Sequence, residues 1–254
     1  MTVVLETNKV TINFGGLIAV NEVSIRVEPQ KITSLIGPNG AGKTTLFNCI
    51  SGVYTHSSGE VILDGQHLEG KKGFQINAAG IARTYQIINL FWKMSVIENV
   101  LVGMHSRLKS NFWDCILHTR KKREEEKRIL EKAREWLRFV ELDTYADAPA
   151  DSLPYGKQRL LEIVRGLASE PKVILLDEPA AGMNTAEKQE LDALLQKILK
   201  TGVTILIVEH DMKLVMNISD YIYVLCNGKL LAEGVASDIQ NNPEVIAAYL
   251  GGED

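Results

Sequence analysis

Cysteine is scarce in this chain. Its 254 residues include three, Cys49, Cys115 and Cys226, far apart and in no C-x-x-C pair. That spacing excludes a disulfide framework and a thiolate metal knuckle, and it suits a reduced, cytosolic chain. Long apolar runs are missing too. The longest, Val173 to Leu176 and Ile205 to Val208, have strand length, far short of the roughly 18 residues that a membrane span needs. Met1 to Glu6 carries no basic segment followed by an apolar one, so no signal peptide is expected. There is no basic excess: the net charge is -4, which removes bulk electrostatics as a reason to bind nucleic acid. If the protein works at a membrane, it docks there from the cytosolic side.

What is present is a core-sized apolar fraction, 45 %, in a pattern of short strands and helices. Val23 to Val27, Ile32 to Ile36, Val61 to Leu63, Val173 to Leu176 and Val203 to Val208 read as strands. Tyr221 to Leu225 and Leu230 to Ala232 flank Asn227-Gly228, a two-residue hairpin signal. Helical periodicity follows in Thr44 to Ser51, in Ile129, Ala133, Trp136, Leu137 and Val140, in Leu160, Leu161, Val164 and Leu167, and in Leu191, Leu194, Leu195 and Ile198. Alternating strands and helices predict an α/β fold with a largely parallel sheet. From about Leu90 to Gly166 the pattern is helical only, as in a lobe inserted into that core. The charge run Arg120 to Arg128 lies there, with Arg120/Glu124, Lys121/Glu125 and Lys122/Glu126 at i,i+4 spacing. It reads as a solvated helix face.

Gly37-Pro38-Asn39-Gly40-Ala41-Gly42-Lys43-Thr44 matches GxxxxGK[ST] between a strand and a helix. Glycines let backbone N–H groups close around phosphates, and the helix N-terminus adds a positive dipole end. Lys43 then reaches the β- and γ-phosphates of ATP, and the Thr44 hydroxyl reaches Mg²⁺. The apolar strand Val173 to Leu176 delivers two carboxylates. Asp177 suits Mg²⁺, directly or through water, and Glu178 suits activation of the attacking water.

The order of motifs resembles the ATP-binding subunit of ABC transporters over essentially the whole chain. Gln86 stands at the Q-loop, Leu153-Pro154-Tyr155-Gly156-Lys157-Gln158 at the signature, Ala181-Gly182-Met183-Asn184 at the D-loop and His210 at the switch histidine. The stretches Phe14 to Val20, Arg83 to Gln86, Val96 to Val100, Pro179 to Asn184 and Val208 to Met216 resemble one branch, the ATPase of branched-chain amino acid importers. The charged insertion Ser106 to Arg134 and the ending Asn242 to Gly251 are similar to it as well.

That resemblance implies a P-loop NTPase core of RecA-like type with an antiparallel β subdomain. The core would be residues 1–88 and 167–254, and the helical subdomain 89–166. It implies ATP and Mg²⁺ as cofactors. Nucleotide contacts would come from Phe14 (stacked on adenine), Val20, Asn39, Gly40, Ala41, Gly42, Lys43, Thr44 and Thr45. Tyr155, Gly156 and Gln158 would add contacts across a dimer of cassettes. Thr44, Gln86 and Asp177 would serve the metal, and Glu178, His210, Lys43 and Gln86 the hydrolysis. The partners implied are membrane-spanning permeases, a second cassette, identical or related, and indirectly a periplasmic or extracellular substrate-binding protein. The place implied is the inner face of the cell membrane. Two other settings share the same motifs: the ATPase of a lipopolysaccharide or lipid exporter, and a soluble ABC switch acting on chromosomes or ribosomes. Pro154 departs from the usual signature serine, offering neither hydroxyl nor N–H, so the cap on the γ-phosphate is expected to be weaker. Asn184 stands where the wider family has Asp.

Overall fold

A computed structural model describes residues 3–105 and 120–250. Side-chain surroundings are described for the same residues apart from 120–126 and 250. The chain divides into two compact units, Met1–Gln86 with Lys172–Asp254, and Ile87–Pro171.

The first unit holds two sheets. Its six-stranded sheet runs in the order β10-β9-β3-β8-β7-β6. The members are β3 (Ile32–Ile36), β6 (Ile81–Arg83), β7 (Val173–Asp177), β8 (Thr204–Val208), β9 (Tyr221–Cys226) and β10 (Lys229–Gly234). All neighbours pair in parallel except β9 and β10, which are antiparallel. β3, β7 and β8 are buried at every position, as strands covered on both faces must be, so they read as unbroken apolar runs. The β9–β10 hairpin turns on Asn227 and Gly228, both at positive φ (49° and 74°), as a two-residue primed turn requires.

The second sheet is antiparallel, in the order β2-β1-β4-β5. It contains β1 (Leu5–Phe14), β2 (Leu17–Val27), β4 (Ser58–Leu63) and β5 (Gln66–His67). The strands expected at Val23 to Val27 and Val61 to Leu63 are the ends of β2 and β4, whereas β1 and β5 were not expected. The β1–β2 register shifts between Thr7 and Val10 and again near Ile12, with Lys9 and Glu22 at positive φ. These irregularities break the period-two alternation on which strand recognition depends.

Helices α1 (Lys43–Ile50), α2 (Gly73–Ala79), α6 (Thr185–Lys200), α7 (Met212–Ile218), α8 (Ala236–Gln240) and α9 (Pro243–Leu250) complete this unit. α6 buries Leu191, Leu194, Leu195 and Ile198, the face that its periodicity predicts. One apolar cluster joins the antiparallel sheet and α1 to β7, β8 and β9. A smaller one gathers Ile36, Val215, Ile222, Val224, Ile239 and Val245.

The second unit contains α3 (Val96–Gly103), α4 (Arg120–Phe139) and α5 (Tyr155–Leu167). α3 opens on a capping box, with Ser95 and Glu98 exchanging side-chain and backbone bonds. Buried Asn99 staples the entry by bonding the N–H and C=O of Phe91 and the C=O of Ser95. The interior of α5 holds an ion pair, Arg159 Nη1 to Glu162 Oε2 at 2.9 Å, with both side chains fully buried. Cys115 and the first half of the charged insertion lie outside the described residues. The i,i+4 pairs at Arg120/Glu124, Lys121/Glu125 and Lys122/Glu126 lie outside the described side chains.

Candidate functional site

β3 ends at Ile36, and the chain loops through Gly37 to Gly42 before α1 starts at Lys43. Two glycines are required by the close fit. At Gly37 (φ 145°) a Cβ would stand 2.0 Å from the Leu225 carbonyl oxygen, and at Gly42 (φ 97°) it would stand 2.5 Å from that of Ala19. Gly42 is also the N-cap of α1 and supplies no capping side chain, so the first N–H groups of the helix face the loop. Lys43 is buried, and its Nζ donates to the carbonyls of Gly37 and Pro38 at 2.7 and 2.8 Å. Burial pulls its ammonium below the usual value, against the pull of Glu178 and Asp177. The ammonium is thus held over the loop within the field of both carboxylates.

Glu178 follows β7 in the left-handed region (φ 47°), unusual for a residue with a side chain and a form of local strain that recurs at functional sites. The turn brings its carboxylate between two side chains. Gln86 Nε2 donates to Oε2 at 2.9 Å, and His210 Nε2 lies 2.5 Å from Oε1. Three residues far apart in sequence therefore meet within hydrogen-bonding distance. Asp177 is buried, with Oδ2 accepting from Arg83 Nη2 at 2.9 Å.

Asn39, Gly40 and Thr44 are exposed on the loop and helix start, Thr45 is half-buried, and Ala41 is buried. Phe14 is exposed at the tip of β1 and meets Tyr54 edge-on at 5.2 Å between ring centroids. Val20 is fully buried, with Cγ2 3.2 Å from where a Gly42 Cβ would stand. In the second unit, Tyr155 is exposed at the start of α5, Gly156 is buried, and Gln158 donates to the Leu153 carbonyl. Lys157 is held within that unit by Tyr145, to whose hydroxyl it donates at 3.0 Å while lying over the ring. Asn184 caps α6, accepting from the N–H groups of Ala186 and Glu187.

Two charged residues at the site escaped sequence reading. Arg83 lies in the stretch Arg83 to Gln86 that resembles the importer branch, with no role expected of it. Glu209 is buried and accepts from the N–H groups of Ala180 and His210, at 2.7 and 3.1 Å. It ties the segment after Glu178 to the histidine that contacts it. Burial raises its pKa above the ordinary 4.5, against the N–H groups of Ala180, His210 and Asp211, and nearby Glu178 adds to the rise. A carboxyl raised in the folded state contributes stability that is complete below the unfolded value and is lost as pH rises through the folded one. Glu209→Gln does not titrate, so its stability relative to wild type should climb as pH rises from below the ordinary carboxyl value through the raised one. Urea unfolding at several pH values would check this, and a difference flat across that range would refute it.

The family model described as ABC transporter matches residues 20–181. The chain belongs to the ABC transporter family. A second model, described as branched-chain amino acid ATP-binding cassette transporter, matches residues 229–254 of the cassette. The cassette is 48 % identical over 248 residues to the high-affinity branched-chain amino acid transport ATP-binding protein LivG of Escherichia coli (strain K12), covering 97 % of each chain. It is 46 % identical to the protein BraF of Pseudomonas aeruginosa, which carries the same description, covering 98 % of each. Among solved structures, the ADP conformation of MJ1267, an ATP-binding cassette of an ABC transporter, matches with a TM-score of 0.86 at 32 % identity. That match covers 99 % of this chain and all of the other. The cassette has the ABC ATPase fold and is the ATP-hydrolysing subunit of a transporter.

The residues present fit Mg-ATP. Thr44, Asp177 and Gln86 are oxygen donors, the ligand type Mg²⁺ takes. No group of three or more His, Cys, Asp and Glu able to hold a metal occurs among the described residues. Beside a P-loop, Mg²⁺ is ordinarily bound by one or two protein side chains together with the nucleotide's phosphates.

Proposed function

We propose that this cassette powers import of branched-chain amino acids by hydrolysing Mg-ATP, working against permease subunits at the inner face of the cell membrane. The observation that carries the ATPase site is the Glu178 carboxylate held by Gln86 and His210, at 2.9 and 2.5 Å, in the same compact unit as the P-loop. The substrate class rests on the relatives described above.

Each residue's part follows from its chemistry. The loop amides and Lys43 bind the phosphates. Thr44, Asp177 and Gln86 would hold Mg²⁺, and the bound ion would neutralise charge on the transferring phosphoryl group. Glu178 takes the proton of the attacking water, and His210 steadies that carboxylate through Nε2; with both ring nitrogens protonated it would also donate to the γ-phosphate. Each carboxylate oxygen keeps a second lone pair, so Glu178 can accept from water while Gln86 and His210 stay in place. Phe14 offers a ring face for adenine. Tyr155, Gly156 and Gln158 of one cassette complete the site of a second, identical or related, and ATP-driven closure of that dimer moves the permeases. A substrate-binding protein outside the membrane feeds them. No helix among the described residues is long and apolar enough to cross a membrane.

Pro154 occupies the N-cap position of α5 without a capping side chain. Serine there would supply a cap, worth about 1 kcal/mol to the helix, and a hydroxyl for the γ-phosphate of the opposite site. Pro154→Ser should therefore raise basal ATP turnover, and equal or lower turnover would refute the role given to this position.

Affinity purification of tagged Glu178→Gln from native membranes with Mg-ATP tests the assembly. Two hydrophobic permeases and a related cassette are the expected companions. Lipid-export subunits, or soluble partners alone, would overturn the import reading.

A further inference from the structure

Arg83 ends β6, three residues before Gln86, and its side chain is 5 % exposed. Its guanidinium serves three acceptors at once. Nη2 donates to Asp177 Oδ2 at 2.9 Å, and Nη1 donates to Asn48 Oδ1 at 2.7 Å and Ser51 Oγ at 2.8 Å. The group also lies over the rings of Phe47 and Tyr85, at 5.8 and 5.0 Å from their centroids. Backbone contacts run the same way. Thr84 N donates to Leu175 O, and Asp177 N lies 3.4 Å from Thr84 Oγ1. One side chain thus connects the end of β7, the last turns of the P-loop helix and the strand that leads into Gln86.

A buried ion pair is poorly explained by stability, since an apolar pair of the same volume does as well or better. Orientation explains it better. A planar fork can hold a carboxylate in one rotamer while gripping a second element, which a lysine ammonium on a flexible stem does less well. The second element is informative. Asn48 sits one helical turn beyond Thr44 on α1. Gripping Asn48 and Asp177 together sets the spacing between the two sides of the candidate cation site.

We propose that Arg83 is a positioning residue for the cation-binding carboxylate. It fixes Asp177 and couples it to α1, so that Asp177 and Thr44 keep a constant separation when Mg-nucleotide binds. This rests on the reading of Asp177 as a ligand of the cation, directly or through water.

Mn²⁺ can replace Mg²⁺ as the probe. Its binding to the full chain would be titrated by electron paramagnetic resonance with a non-hydrolysable ATP analogue present. Analogue affinity without metal and the melting temperature would be measured alongside. Partners one step removed from a metal typically change its affinity by about 10–100-fold. Arg83→Met and Asp177→Asn should each weaken Mn²⁺ by an amount in that range, with metal-free nucleotide affinity within about 2-fold of wild type. The double variant should be no weaker than Asp177→Asn alone. Arg83→Lys keeps the charge and covers the case in which Arg83→Met fails to fold; it should melt near wild type and still bind Mn²⁺ more weakly. Wild-type Mn²⁺ affinity in the Arg83 variants, with Asp177→Asn impaired, would overturn the positioning role. Unchanged affinity in Asp177→Asn would overturn the ligand reading beneath it.

Discussion

Glu178→Gln is expected to lower ATP turnover by about 10²–10⁴-fold, the usual contribution of a general base, while ATP binding stays near wild type. The substitution keeps the shape of the side chain, and an amide still accepts from Gln86 Nε2. Its NH₂ can face a His210 Nε2 left unprotonated by the other imidazole tautomer. Packing around the residue is therefore preserved, and what disappears is the capacity to take a proton. Steady-state phosphate release and equilibrium binding of a fluorescent ATP analogue separate the two effects. Turnover within about 10-fold of wild type would remove Glu178 as the base. Loss of nucleotide binding in parallel would assign it to the phosphate cradle instead.

The site illustrates which parts of a structure a sequence can carry. The P-loop was legible because its glycines, lysine and threonine answer to local geometry, with Gly37 and Gly42 pressed against carbonyl oxygens of Leu225 and Ala19. β3, β7 and β8 were legible because burial on both faces leaves an unbroken apolar run. The meeting of Gln86, Glu178 and His210 followed only from motif order, since nothing local in Gln86 points to a carboxylate 92 residues away. Arg83 and Glu209 carried no signal at all. A charged residue reads as exposed until its partner is known, and both partners lie on other strands or loops. β1 failed for a different reason, because its bulges destroy the alternation that marks a half-buried strand.

The same blindness hid Arg159 and Glu162, whose i,i+3 spacing on α5 suggests an ordinary surface pair. Both side chains are instead fully buried, 2.9 Å apart, and Glu162 also accepts from the N–H of Asn89. Glu162→Ala removes the carboxylate facing Arg159 and an acceptor for that N–H, so a buried positive charge loses the carboxylate 2.9 Å from it. Breaking a buried pair in this way costs about 3–5 kcal/mol. For a chain of this size that is a fall in melting temperature on the order of 10 °C. Replacing both partners by apolar residues, Arg159→Met with Glu162→Leu, removes the charge together with its counter-ion and should recover much of the loss. Asn89 N–H still lacks its acceptor in that variant, so recovery should stop short of wild type by about 1–3 kcal/mol. Urea unfolding of wild type, single and double variants measures all three. A single variant within about 1 kcal/mol of wild type would mean that α5 can open enough to hydrate Arg159. A double variant as unstable as the single would mean that the pair specifies the packing of this unit rather than merely neutralising itself.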